Sequence, residues 1–211
     1  ISAPLIKSPE TNSLVFMAPK SCLFTVDKAT GLLDPVRYCE SPNRDARPDG
    51  AEPSMIVVHG ISLPPGEFGG SEIEALFTNT LDWDAHPYFG EIRGLEVSSH
   101  VLIRRDGSVV QFVPFGERAW HAGESFFRGQ ACCNDFSIGI ELEGEDETPY
   151  DDRQYAVLKD VILALCNAYP AISARKVAGH SDIAPGRKTD PGPAFDWFRL
   201  YDGLRSGKGV S

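Results

Sequence analysis

Two β-rich runs stand on either side of Asp106-Gly107 in SHVLIRRDGSVVQFVPF. That dipeptide between β-branched segments predicts a tight hairpin, which commits part of the chain to an antiparallel strand pair. The other apolar runs alternate between strand and helix patterns. MIVVHG, Met55 to Gly60, is a short buried strand that delivers a histidine to its end. FSIGIELEG places Ile138, Ile140 and Leu142 on one face of a strand, with Gly139, Glu141 and Glu143 on the other. SEIEALF predicts a short helix with Ser71 as its N-cap. The stripe Tyr155, Leu158, Ile162, Leu165 predicts a core-facing helix from about Asp151 to just before Pro170. KVAGH feeds a second histidine into a loop, and AFDWFRLYDGL reads as a terminal amphipathic helix. The expected class is α/β, with a central mixed β-sheet flanked by helices.

Length and charge narrow the partners. A chain of 211 residues suits one large domain or a domain with an extension. We expect an N-terminal extension and lead-in over 1–53, a body over 54–205 and a tail over 206–211. The lead-in boundary rests on SPNRDARPDGAEPS, which is rich in Pro, Asp, Arg and Gly and lacks periodicity. No apolar run approaches the roughly 18 residues that a membrane span requires. The formal charge of −10 disfavours nucleic acid, anionic membranes and anionic wall polymers as electrostatically held partners, and favours small substrates. The cysteines, Cys22, Cys39, Cys132, Cys133 and Cys166, are odd in number and irregularly spaced. They read as reduced thiols of a cytoplasmic protein.

The loop RKTDPGPAFDW sets a lysine, a threonine and an aspartate directly before a Pro-Gly-Pro turn. Such a turn holds a segment in one shape, which suits a metal or catalytic site and also suits a charged surface turn. His59 and His180, each at the end of an apolar run, could join Asp190. Two histidines and a carboxylate form a zinc set with one position left open. Each histidine alone fits a packed structural role as well, and spacing leaves both readings open. Glu141 is open in the same way, between a site role and a solvent-facing position beside Glu143.

Several blocks occur in one order: VVHGISLPPGEFGG, ALFTNTLDWDAHPYF, SSHVLIRRDGSVVQFVPF, RAWHAGESFFRG, CNDFSIGIELEG and GHSDIAPGRKTDPGPAFDW. From about Val26 to Gly203 the chain resembles the cytosolic 1,6-anhydro-N-acetylmuramyl-L-alanine amidases of the amidase-2 and peptidoglycan-recognition superfamily. The resemblance implies a mixed sheet with zinc at the floor of a substrate groove. It implies hydrolysis of the bond between anhydro-muramic acid and L-alanine in soluble muropeptides. By the same resemblance His59, His180 and Asp190 are the zinc ligands, Glu141 is the acid/base group and Lys188 is the cationic partner. Trp120, His121 and Asn134 are candidates for the substrate groove, whereas His86 and His100 are read as structural. Two other classes share the motif: secreted or phage-type amidases acting on wall polymer, and non-catalytic peptidoglycan-binding modules. The full ligand and acid/base set favours catalysis over binding. The acidic charge and the absence of a visible export signal or wall-binding repeat favour recycling over lysis.

Overall fold

The computed structural model describes residues 23–207; residues 1–22 of the expected extension and 208–211 of the expected tail lie outside them. In chain order the elements are β1 (Thr25–Asp27), β2 (Leu32–Asp34), β3 (Arg37–Tyr38), β4 (Arg44–Ala46), β5 (Met55–Ile61), α1 (Glu72–Phe77) and α2 (Pro87–Glu91). There follow β6 (Val101–Ile103), β7 (Val109–Gln111), β8 (Glu117–Ala119), β9 (Phe126–Phe127), β10 (Gln130–Ala131) and β11 (Ser137–Glu143). The chain closes with α3 (Asp152–Ala168), β12 (Val177–Gly179), α4 (His180–Ile183) and α5 (Trp197–Gly207).

The main sheet runs β12-β5-β11-β6-β7-β3. Strands β12, β5, β11 and β6 are mutually parallel, β7 pairs antiparallel with β6, and β3 pairs parallel with β7. The sheet is therefore mixed, and its antiparallel pair is the Asp106-Gly107 hairpin. Side-chain alternation gives the sheet two different faces. Ile56 and Val58 of β5 and Ile138, Ile140 and Leu142 of β11 share a core with Tyr155, Leu158, Ile162 and Leu165 of α3. That helix starts at Asp151, whose carboxylate accepts from the Arg153 N–H, while Gln154 reaches back to the Asp151 N–H. These bonds close the first turn as a capping box. Ser71 differs from its expected role: its backbone is already helical and its side chain makes no cap bond.

The lead-in is not a separate segment. Phe24 and Leu33 lie in the α3-side core, and β3 is the edge strand of the main sheet. Buried Gln111 accepts from the Leu33 N–H and donates to the carbonyls of Gly31 and Val113. Arg47 reaches inward to donate to the carbonyls of Phe115, Asn134, Asp135 and Ser137. Burial pushes its guanidinium down to about 10. Residues between 24 and 47 of the expected lead-in thus pack against the body. A segment held by side-chain bonds to distant carbonyls needs no periodicity of its own. Replacing Arg47 strands those acceptors. Arg47→Met is expected to lower the unfolding free energy by about 2–3 kcal/mol, measured by urea denaturation; an unchanged midpoint would show that water replaces the guanidinium without loss.

No disulfide joins Cys39, Cys132, Cys133 and Cys166 among the described residues. No helix among the described residues is long and apolar enough to cross a membrane.

Candidate metal centre and catalytic cavity

The face of the sheet opposite α3 carries His59 and Glu141. Parallel register sets Glu141 of β11 directly beside His59 of β5, and His59 Nδ1 lies 4.0 Å from Glu141 Oε1. Strand β12, next to β5, ends where His180 opens α4. The loop that follows returns Asp190 to the same point. Its path is pinned on both sides: the Ser181 N–H donates to the Asp190 carbonyl at 2.9 Å, and the Tyr150 hydroxyl donates to the Pro191 carbonyl at 3.0 Å. Gly192 has a φ of +80°, and a β-carbon there would overlap the backbone of Asp146. The Pro-Gly-Pro turn is therefore a close-packed hinge, with glycine required at its centre.

Three ligand-type atoms converge. His59 Nδ1 and His180 Nδ1 are 3.0 Å apart, and Asp190 Oδ2 lies 3.2 Å from the first and 3.1 Å from the second. A tetrahedral zinc with bonds of about 2.0–2.1 Å spaces its ligands roughly 3.3 Å apart. The protonation pattern agrees with that fit. His180 Nε2 lies 3.2 Å from the Ala122 carbonyl, which only accepts, so Nε2 carries the hydrogen and Nδ1 is left as a lone pair. Burial pushes His59 down to about 4 against the pull of Asp190, so its imidazole is neutral at physiological pH. Two imidazole nitrogens and a carboxylate oxygen pointing at one spot are a donor set that a divalent cation satisfies.

Two glutamates on this face of β11 have different environments. Glu143 is fully engaged: it accepts from the N–H groups of Gly69 and Arg105 and from the Arg104 guanidinium. Glu141 is 8% exposed, and its Oε2 has no hydrogen-bond partner. Burial, reinforced by the charge of Asp190, pushes its carboxyl well above the ordinary value, while Lys188 opposes the shift. Glu141 is thus a buried carboxyl with one oxygen uncommitted, rather than a solvent-facing side chain.

These groups line a cavity of about 690 Å³. Its floor holds His59, Glu141, His180 and Asp190, with Lys188 on the exposed loop beside them. Trp120, Tyr88 and Leu95 form an apolar wall, and Glu145 and Asp146 stand on the acidic side. Trp120 thus lines the cavity. His121 reaches it only from beneath, where its ring bonds to His59 and Ser137. Asn134 does not line it; its side chain accepts from the backbone N–H groups of His121 and Ala122. His86 caps α2 by accepting from the Tyr88 N–H, and buried His100 accepts from the Gly139 N–H, so both are structural. Sequence reasoning passed over Ser137 and Tyr150. Ser137 had a usable signal, since it lies on the same alternating face as Gly139 and Glu141. Tyr150, outside any periodic element, had none.

Residues 49–193 match the model of the N-acetylmuramoyl-L-alanine amidase family, Amidase_2. The 1,6-anhydro-N-acetylmuramyl-L-alanine amidase AmpD of Enterobacter cloacae is 61% identical over 171 residues, covering 81% of this chain and 91% of that protein. The crystal structure of a selenomethionine derivative of AmpD superposes with a TM-score of 0.82 at 57% identity, covering 85% of this chain and 98% of that one. A more distant structure, AmpDH3 from Pseudomonas aeruginosa in complex with anhydromuramic pentapeptide, gives a TM-score of 0.57 at 28% identity, covering 77% of this chain and 64% of that one. A sheet that sets a histidine beside an acidic residue, a second histidine at the end of the neighbouring strand, a loop that returns a carboxylate to them, and these likenesses across most of its length agree: the chain belongs to the N-acetylmuramoyl-L-alanine amidase family.

Proposed function

We propose that this protein is a zinc amidase that cuts the bond between 1,6-anhydro-N-acetylmuramic acid and L-alanine in soluble anhydro-muropeptides. The observation that carries the reading is the convergence of His59, His180 and Asp190 beside uncommitted Glu141, in a chain 61% identical to an amidase of that name. Zinc, when held by the three donors, supplies Lewis acidity toward the scissile carbonyl and toward water. The remaining chemistry belongs to the chain. Glu141 takes the proton from the attacking water and returns it to the departing amine of L-alanine. Lys188 places its ammonium near the oxygen on which negative charge develops. Trp120 offers a flat apolar surface to the anhydro-sugar, and the cavity of about 690 Å³ suits a small muropeptide.

A formal charge of −10 disfavours binding to anionic wall polymer, which fits a recycling enzyme working in the cytoplasm on released fragments. Mass spectrometry of the products tests bond, substrate and metal together. A purified anhydro-muropeptide should lose its intact peptide, chelator should stop the reaction, and zinc should restore it. Intact sacculi at matched bond concentration should release peptide far more slowly. Equal rates on the two substrates would replace the recycling role with a lytic one, and full activity in a metal-free sample would remove zinc.

A further inference from the structure

We propose that the segment His121–Ala122, clamped by Asn134, is a positioning unit that fixes the hydrogen on both histidine ligands; this rests on the ligand set proposed above. The proton order follows from one hydroxyl. Ser137 Oγ is fully buried and donates its single hydrogen to the Cys133 carbonyl at 2.5 Å. It must therefore meet His121 Nε2, 3.2 Å away, as an acceptor, so the His121 hydrogen is on Nε2. The ring partners of His121 are a hydroxyl and another imidazole, neither of which compensates a buried charge, so its Nδ1 is bare. That nitrogen lies 2.9 Å from His59 Nε2 and accepts its hydrogen, which leaves the His59 Nδ1 lone pair facing His180 and Asp190.

The same segment acts on the second ligand through its backbone. The Ala122 carbonyl accepts from His180 Nε2 at 3.2 Å and from Arg187 Nη2 at 2.6 Å. Asn134 Oδ1 accepts from the N–H groups of His121 at 3.2 Å and Ala122 at 2.8 Å, so a single side chain holds the residues that orient both ligands. Gly139 completes the arrangement, because a β-carbon there would overlap the His121 ring. The His59 and His121 rings stand nearly perpendicular, with centroids 5.0 Å apart and planes at 88°. His121 and Asn134, candidates for the substrate groove in the sequence, are thus assigned to the metal from behind.

Outer partners of metal-bound histidines typically contribute about 10–100-fold in metal affinity. The test uses the full chain, a chelator of known zinc affinity in competition, and long-range 1H–15N spectra of the imidazoles. His121→Leu should weaken zinc binding by about 10–100-fold. His121→Asn, which sets an acceptor oxygen near the place of Nδ1, should restore most of that loss. The wild-type spectrum should show His121 protonated at Nε2 and bare at Nδ1, and Ser137→Ala should mix the two forms. A His121 protonated at Nδ1, equal losses in the Leu and Asn variants, or undiminished affinity in His121→Leu would each overturn the assignment. Should His121→Leu fail to fold, the Asn variant and the wild-type spectrum decide. A wild-type protein that binds zinc elsewhere than His59, His180 and Asp190 would instead remove the ligand set, and the His121 spectrum would still decide the proton order.

Discussion

Glu141→Gln is expected to keep its zinc and lose about 10²–10⁴-fold in kcat, the usual contribution of a positioned acid or base. The substitution preserves the shape of the side chain and removes only its capacity to take a proton. The carboxyl is 8% exposed, its Oε2 has no partner, and it stands 4.0 Å from the nearest ring nitrogen of His59. An amide in its place can hydrogen-bond to water without accepting its proton. Zinc content and kcat should be measured on the same sample, because a parallel loss of both would make Glu141 part of the metal site instead. A variant with wild-type turnover would move proton transfer to another group.

Lys188→Ala is expected to lower kcat by about 10²–10³-fold, the range for removing one group that stabilises a developing oxyanion. KM and zinc content should change little. An ammonium has no lone pair for a metal, and the side chain is exposed on its loop, so neither binding of zinc nor folding depends on it. The pattern to look for is kcat and kcat/KM falling together, which marks an interaction made in the transition state. Lost zinc would turn the lysine into a support for the ligand loop. A rise confined to KM would make it a substrate clamp.

How much of this was legible beforehand differs by element. The alternation in FSIGIELEG foretold which face of β11 carries Gly139, Glu141 and Glu143, and the α3 stripe foretold the helix that covers the other face. Local patterns of that kind are set by the neighbours in sequence. Convergence of His59, His180 and Asp190 is not local: it depends on the pairing of β5 with β11 and β12, and on the return of a loop. Spacing could not exclude a structural use for each residue, and resemblance supplied what periodicity lacked. The segment around Arg47 shows no apolar period because polar side chains, its own and Gln111 of the hairpin, tie it to the rest of the fold. Glu141 and Glu143 looked equivalent in sequence. Only the placement of Arg104 and the Gly69 loop separates an engaged carboxylate from an uncommitted one.

The register of β5 against β11 has a consequence for how such an enzyme can be altered. With Glu141 paired to His59 across neighbouring strands, their separation is governed by the backbone spacing of a parallel ladder, about 4.8 Å. No connection can lengthen or shorten it. The stretch between β5 and β6 contributes Leu63, Tyr88 and Leu95 to the cavity wall, so the shape of the cavity and the spacing of that pair are set by different parts of the chain. An engineer seeking a new sugar or peptide preference would change the side chains on that wall and leave the strand pair in place.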